Sequence, residues 1–297
     1  MTYSLLVAGL KGALFLEALP RNMWPSRIFY YRVAGEHETA FQRLATVVGE
    51  SALLVDPKHF KAPTDSKLTI TVGWQYLIDV SDPLVVMHDS LLPRFRGFAP
   101  TVAALIRGES RLGVSAILAD DDMDSGPILS QHSVEIDQSI SVERAFELLA
   151  NCYVNCLREV LEMGQKFESY GKTQDSTRAT YSIWRDEDDF QVPWCRTAEE
   201  VVRLVRAVGY PYQGARSAIG NRALVVHSAE IANDLTFEIR QPGKVWRIRD
   251  PHSADVICGA GIVTVWANWL DDDRSGVFNR LRLRLGSREF WKNCSCP

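Results

Sequence analysis

The chain has no apolar run long enough to cross a membrane. Its first stretch, MTYSLLVAGLKGALFLEALP, is broken by Lys11 and Glu17 well short of the about 18–20 apolar residues a span needs. It also lacks the order of a secretory signal, because the first positive charge follows the apolar stretch instead of preceding it. The expected location is therefore cytoplasmic. The six cysteines, Cys152, Cys156, Cys195, Cys258, Cys294 and Cys296, lack the dense even spacing of a secreted disulfide framework. A metal clip joining Cys152 and Cys156 to Cys294 and Cys296 is not expected, since neither pair has the C-x2-C spacing of a zinc knuckle. Charge of one sign is not in excess either: 33 Lys and Arg face 37 Asp and Glu, a formal net charge of -4, which argues against a general nucleic-acid binder. One local exception is the alternation Arg280, Arg282, Arg284, which as a strand would place three cations on one face. Gly9 and Gly12 give only G-x-x-G after the first apolar run, with no acidic residue about 20 positions on, so a nicotinamide dinucleotide is not expected. No P-loop, H-E-x-x-H or G-x-S-x-G occurs.

What is present is a chain of 297 residues, 46% hydrophobic, enough for one large or two moderate domains with a substantial core. Tyr3 to Ala8 reads as a strand running through a glycine turn into a helix. Ile28 to Val33, Leu53 to Val55, Leu68 to Val72 and Leu84 to Met87 read as further strands, with a helix over Glu38 to Val48. Continuous apolar strands alternating with helices predict a parallel sheet covered on both faces. Pro100 to Ile106 reads as a helix, Gly113 to Ala119 and Ile128 to Val134 as strands, and Ser141 to Met163 as a long helix capped by Ser141. The polar, glycine-bearing stretch from Gly164 to Thr180 is expected to be a linker. Beyond it lie a short helix at Ala198 to Val208 and strand-like runs at Leu224 to Ala229, Gly243 to Ile248, Asp255 to Cys258 and Ile262 to Ala267, the pattern of a small β-barrel or sandwich.

In an open α/β sheet ligands bind beyond the carboxyl ends of the strands, which directs attention to the loops after Val7, Val72, Met87 and Ala119. His88-Asp-Ser-Leu-Leu-Pro-Arg-Phe-Arg-Gly-Phe-Ala-Pro100 leaves an apolar strand through a proline-fixed turn, aiming one imidazole at that edge. A second strand ends in Asp120, Asp121, Asp122 and Asp124, followed by the sharp return Ser125-Gly126-Pro127. An aspartate delivered there is suited to hold the imidazole proton or to orient a water or an amine. The S-G-P return singles out Asp124 as the fixed member of the acidic run.

Three patterns in succession, H-x-S-L-L-P-x-x-R-G-x-x-P over 88–100, G-V-S at 113–115 and D-x-G-x-I-x-x-Q over 124–131, resemble the formyl-tetrahydrofolate-dependent transferases. That family includes methionyl-tRNA formyltransferase, sugar N-formyltransferases and the folate hydrolase domain. ATYSIWRDEDDFQVPW (179–194) and RAVGYPYQGA (206–215) are similar to the segments that lead into the family's C-terminal barrel. The resemblance implies a Rossmann-like, mostly parallel α/β sheet with a smaller C-terminal β-barrel-like (OB-like) domain, divided as 1–180, a connecting segment and helix at 181–205, and 206–297. It implies His88 and Asp124 as catalytic residues. The co-substrate 10-formyltetrahydrofolate would lie along Met87, Ser90, Leu91, Leu92, Pro93, Arg96 and Gly97 and beside Ala119 and Asp120. The family's catalytic asparagine, two residues before the histidine, falls here on Val86, an apolar residue shared with the folate hydrolase domain. Valine cannot donate to the formyl oxygen, and one such donor is worth about 10²–10³ in rate. The mixed charge beyond Lys172 favours a small amine, with a nucleotide-linked amino sugar as acceptor, over methionyl-tRNA. Tyr181, Trp184, Tyr210 and Tyr212 are candidates to stack on a base or line an acceptor pocket. Hydrolysis of the co-substrate and a silent folate-binding homologue are the alternatives, and a homodimer is left open.

Overall fold

A computed structural model describes residues 2–62, 67–78, 83–272 and 274–293. The chain folds as two compact units, one built from Met1–Ala104, Glu109–Asp137 and Glu143–Trp184, the other from Leu105–Gly108, Gln138–Val142 and Arg185–Pro297. In chain order the first half contains β1 (Ser4–Ala8), α1 (Gly9–Ala18), β2 (Arg27–Tyr31), α2 (Glu38–Val48), β3 (Leu53–Leu54), β4 (Thr69–Val72) and β5 (Leu84–His88). β6 (Arg96–Gly97), α3 (Pro100–Arg107), β7 (Arg111–Leu118), β8 (Ile128–Glu135), α4 (Val142–Glu162) and β9 (Tyr181–Ser182) follow.

Seven strands form one sheet in the order β3-β2-β1-β4-β5-β7-β8. The first five are parallel to their neighbours, while β7 runs antiparallel to both β5 and β8. Leu5, Leu6, Val7, Ile70, Val72 and Val85 are fully buried, as the central strands of a sheet covered on both faces must be. α2 turns Ala40, Leu44 and Val48 inward at spacing i, i+4, i+8 and ends at Gly49, whose φ of 72° lies in the left-handed region. Strand order reverses between β1 and β4, the place where such sheets usually take a dinucleotide. Here the protein's own atoms pack that edge. Glu36 Oε2 accepts from Leu10 N at 3.1 Å at the N-terminus of α1, and a Cβ on Gly73 would stand 2.6 Å from the Ala8 carbonyl oxygen.

The second unit contains α5 (Ala198–Ala207), β10 (Ala215–Gly220), β11 (Arg222–Ala232), β12 (Val245–Asp250), β13 (Ser253–Ile257), β14 (Ile262–Trp269), β15 (Gly286–Ser287) and α6 (Arg288–Asn293). α5 opens with a capping box in which Thr197 Oγ1 accepts from Glu200 N and Glu200 Oε2 accepts from Thr197 N. Six strands make a curled sheet in the order β12-β13-β14-β11-β10-β15, antiparallel except for the last pair. The curl brings its two ends together: Val245 N donates to Leu283 O at 3.0 Å and Leu285 N to Gly243 O at 2.8 Å.

Two expectations need correction. Arg280, Arg282 and Arg284 do not form a strand. Arg282 has a φ of 67°, which breaks any extended run, and Arg284 turns back to donate to Pro242 O and stack over the Trp291 ring at 3.6 Å. The stretch from Gly164 to Thr180 is not a free linker. Phe167 is buried, Lys172 pairs with Ile128, and Gln174 and Thr180 hydrogen-bond to the loops that follow β5 and β7. The sequence pattern gives no signal for β10, and Cys294 and Cys296 lie outside the described residues. Among the described residues no helix is long and apolar enough to cross a membrane, and no group of three or more His, Cys, Asp and Glu is placed to hold a metal ion.

Candidate active site

β5 ends at His88, so its imidazole stands at the carboxyl edge of the sheet and is 6% exposed. The ring is held from both sides: Nε2 lies 2.8 Å from Phe95 O, and Nδ1 lies 3.5 Å from Asp124 Oδ2. A carbonyl oxygen can only accept, so Nε2 carries the hydrogen and Nδ1 is the edge turned toward the carboxylate. With Nε2 so engaged, any proton on Nδ1 sits between imidazole and carboxylate. Asp124 Oδ2 in turn accepts from Gly97 N at 2.7 Å, which fixes the carboxylate against β6.

The loop that presents Asp124 leaves little conformational freedom. Asp124 itself has a φ of 50°, an uncommon conformation for a residue with a side chain. Gly126 is required by space, because a Cβ there would stand 1.8 Å from Leu118 O. Gln174 closes the loop: its Nε2 donates to Asp124 O and to Gly126 O, each at 2.8 Å, and its Oε1 accepts from Arg96 Nε at 3.1 Å and Nη2 at 2.8 Å. Arg96 is thus a buried cation whose fork locks the loops that follow β5 and β7 through one amide.

The loop after His88 is equally wired. Ser90 N donates to His88 O at 2.9 Å and Ser90 Oγ to Arg94 O at 2.7 Å, closing the turn. Ser115, opposite His88 on β7, donates from Oγ to Ser90 O at 2.7 Å and accepts from Leu92 N at 3.2 Å and Gln131 Nε2 at 2.7 Å. Gln131 Nε2 also donates to Leu92 O at 3.1 Å. Arg96 N donates to Thr180 O, Phe95 N to Thr180 Oγ1 and Phe98 N to Ser182 O, so β9 braces β6 in parallel.

The residues expected beside a co-substrate divide by depth. Met87 and Leu92 are buried, Ser90 and Arg96 are buried and hydrogen-bonded, Leu91, Pro93 and Gly97 are half-buried, and Ala119 and Asp120 are exposed. Val86 is half-buried and, two residues before His88 on one strand, shares its face. Tyr181 and Trp184 are largely exposed, while Tyr210 and Tyr212 are half-buried in the second unit, Tyr212 against Phe190 at 6.1 Å. Nothing in the sequence pattern marks Gln174 and Thr180, because a polar, glycine-bearing stretch carries no periodic signal. Asp89 and Lys11 are not marked either. Asp89 lies inside the motif at a position the resemblance leaves unspecified, and Lys11 lies in the first helix.

Residues 72–161 match a family model described as "Formyl transferase", and residues 185–267 match one described as "Formyl transferase, C-terminal domain"; together they take in more than half of the chain. This chain belongs to the formyl transferase family. A methionyl-tRNA formyltransferase of Marinobacter nauticus is 26% identical over 195 residues, covering 66% of this chain and 61% of that protein. The chain therefore matches less than two thirds of the length of that curated relative. HypX from Aquifex aeolicus has a similar fold, with a TM-score of 0.61 at 16% identity over 89% of this chain and 44% of that one. So does an N-formyltransferase from Helicobacter canadensis, solved with folinic acid and dTDP-3-aminofucose, with a TM-score of 0.53 at 15% identity over 90% of this chain and 99% of that one.

Proposed function

We propose that this formyl transferase moves the formyl group of 10-formyltetrahydrofolate to the amine of a small acceptor, a nucleotide-linked amino sugar. The observation that carries this reading is the convergence of His88 Nδ1 and Asp124 Oδ2 at the carboxyl edge of β5, with Gly97 N holding the carboxylate. Acyl transfer to an amine needs a base for the proton of the attacking nitrogen and a donor for the oxygen of the tetrahedral intermediate. Asp124 fills the first role. His88, when protonated, offers Nδ1–H to the oxyanion and returns that proton to the departing folate nitrogen, while Nε2–H stays committed to Phe95 O. Val86 supplies no donor, so the imidazolium carries a task that is divided between two side chains where an asparagine is present. Met87, Ser90, Leu91, Leu92, Pro93, Arg96 and Gly97 would flank the folate on one side, with Ala119 and Asp120 on the other.

The choice of acceptor is supported by charge. From residue 185 to the end, sixteen Lys and Arg face fifteen Asp and Glu, a near-neutral balance that gives little of the phosphate neutralisation on which a tRNA complex depends. The Helicobacter canadensis enzyme with its amino-sugar nucleotide supports the same choice by likeness of fold. The test is tetrahydrofolate release from 10-formyltetrahydrofolate with and without dTDP-3-aminofucose. Release that depends on the amino sugar is the expected result. Release without any amine would replace the transferase reading with a hydrolase, and no release under either condition would leave a folate-binding protein.

A further inference from the structure

Behind the catalytic imidazole lies a second cluster of charge that the transfer chemistry does not use. Side chains of successive residues at the end of a strand point to opposite sides, so His88 faces the site while Asp89 turns toward the helices. Asp89 is buried, and its carboxylate is gripped by two helices. Lys11 Nζ of α1 lies 2.8 Å from Oδ2, and Thr101 Oγ1 of α3 makes a short hydrogen bond to the same oxygen. Lys11 Nζ also rests over the Phe146 ring of α4 at 5.0 Å. Thr101 Oγ1 reaches the Asp89 main-chain oxygen as well, at 3.4 Å. Burial alone would raise the Asp89 carboxyl, but Lys11, His88 and Thr101 outweigh it and hold the group below its ordinary value, in keeping with a buried ion pair.

We propose that Asp89, fixed by Lys11 and Thr101, is a positioning residue for His88. The ring of His88 is set by the backbone of residues 88 and 89 and by two contacts of its own, Phe95 O and Asp124. Both contacts lie on the active-site side, so they hold the ring only if the strand end cannot roll. Asp89 prevents the roll from the opposite side: its carboxylate pins the peptide after His88 to α1 and α3, while Lys11 neutralises a negative charge that would otherwise sit one residue from the imidazole. Displacement of a reacting group by about 1 Å can cost on the order of 10²-fold in rate. This cluster is therefore expected to act on turnover and on the state of the His88 ring, and not on folate affinity.

The role rests on His88 being the reacting imidazole, and its test separates the two ideas. The ¹⁵N and ¹H resonances of the His88 ring are to be recorded by NMR on histidine-labelled full-length protein, assigned by their loss in His88→Ala. They are compared among wild type, Asp89→Asn, Lys11→Met, the double variant and the milder Thr101→Val, alongside thermal midpoints and folinic acid affinity. The expected result is that Asp89→Asn shifts or broadens the His88 resonances, that Thr101→Val does so less, and that folinic acid affinity stays within about threefold. The double variant, with no unpaired buried charge, is expected to recover stability over Lys11→Met without restoring the wild-type His88 signature. Unchanged His88 resonances in every folded variant, or a signature that returns together with stability in the double variant, would overturn the proposal. Turnover with dTDP-3-aminofucose is measured in parallel. If wild type shows none, the reading of function fails while the resonances still decide the positioning role. If wild type turns over, kcat is expected to fall about 10- to 10²-fold in Asp89→Asn.

Discussion

In the proposed reading, two side chains and one absent donor set what the site does. His88→Ala and Asp124→Asn are each expected to lower kcat by about 10²–10⁴-fold, the usual worth of a positioned acid or base, with the circular dichroism spectrum unchanged. Full activity in either variant would remove that residue from the chemistry. Val86→Asn tests the missing donor. The side chain shares a strand face with His88, so an amide there is expected to be tolerated and to raise the rate, by up to the about 10²–10³-fold that one oxyanion donor contributes. An unchanged rate would mean that the imidazolium already supplies the full stabilisation. His88 and Asp124 were both legible in the sequence, one leaving an apolar strand and the other fixed by S-G-P. Their geometry was not, because which ring nitrogen meets the carboxylate depends on the Phe95 carbonyl, seven residues away along a loop.

At the level of elements, the site is two loops held together by a third segment. Gly126→Ala is expected to displace the Asp124 loop, because the new Cβ would collide with Leu118 O, and to reduce turnover more than it reduces the thermal midpoint. Gln174→Ala strips partners from Arg96 and from two loop carbonyls at once. Each buried polar group left unsatisfied costs about 1–3 kcal/mol, so this variant is expected to melt at clearly lower temperature and to lose activity together with it. The motif spacing announced the loops at 88–100 and 113–131 because proline, glycine and alternating apolar residues have local meanings. Residues 164–180 have the composition of a linker, because polar residues without periodicity look alike whether they face water or buried partners. Gln174 is polar and buried, and only its partners distinguish it.

For the whole molecule, charge and burial decide the response to pH and salt. The Asp89 carboxyl lies below its ordinary value in the folded state, so the unfolded chain takes up that proton first as pH falls. Its contribution to stability is complete above about pH 5 and fades below it, and Asp89→Asn is expected to flatten the acid limb of a melting-temperature profile. Burial raises the phenols of Tyr3, Tyr31 and Tyr153, so the unfolded chain ionises first near pH 10 and stability is expected to decline above that value. The near-neutral second unit predicts that bulk tRNA is not retained at about 0.15 M salt, a result that a filter-binding titration reads directly. By itself the sequence determined the alternation of strands and helices, the helix at Glu38–Val48, the place of His88 and Asp124, and the balance of charge. Each of these follows from neighbours within a few residues or from composition. Only the tertiary structure decided the antiparallel turn of β7, the Arg96–Gln174 lock, the failure of the arginine alternation to make a strand, and the Lys11–Asp89–Thr101 cluster. These join groups 12 to 90 positions apart, or depend on whether a polar side chain finds a buried partner, and only the folded chain brings such groups together.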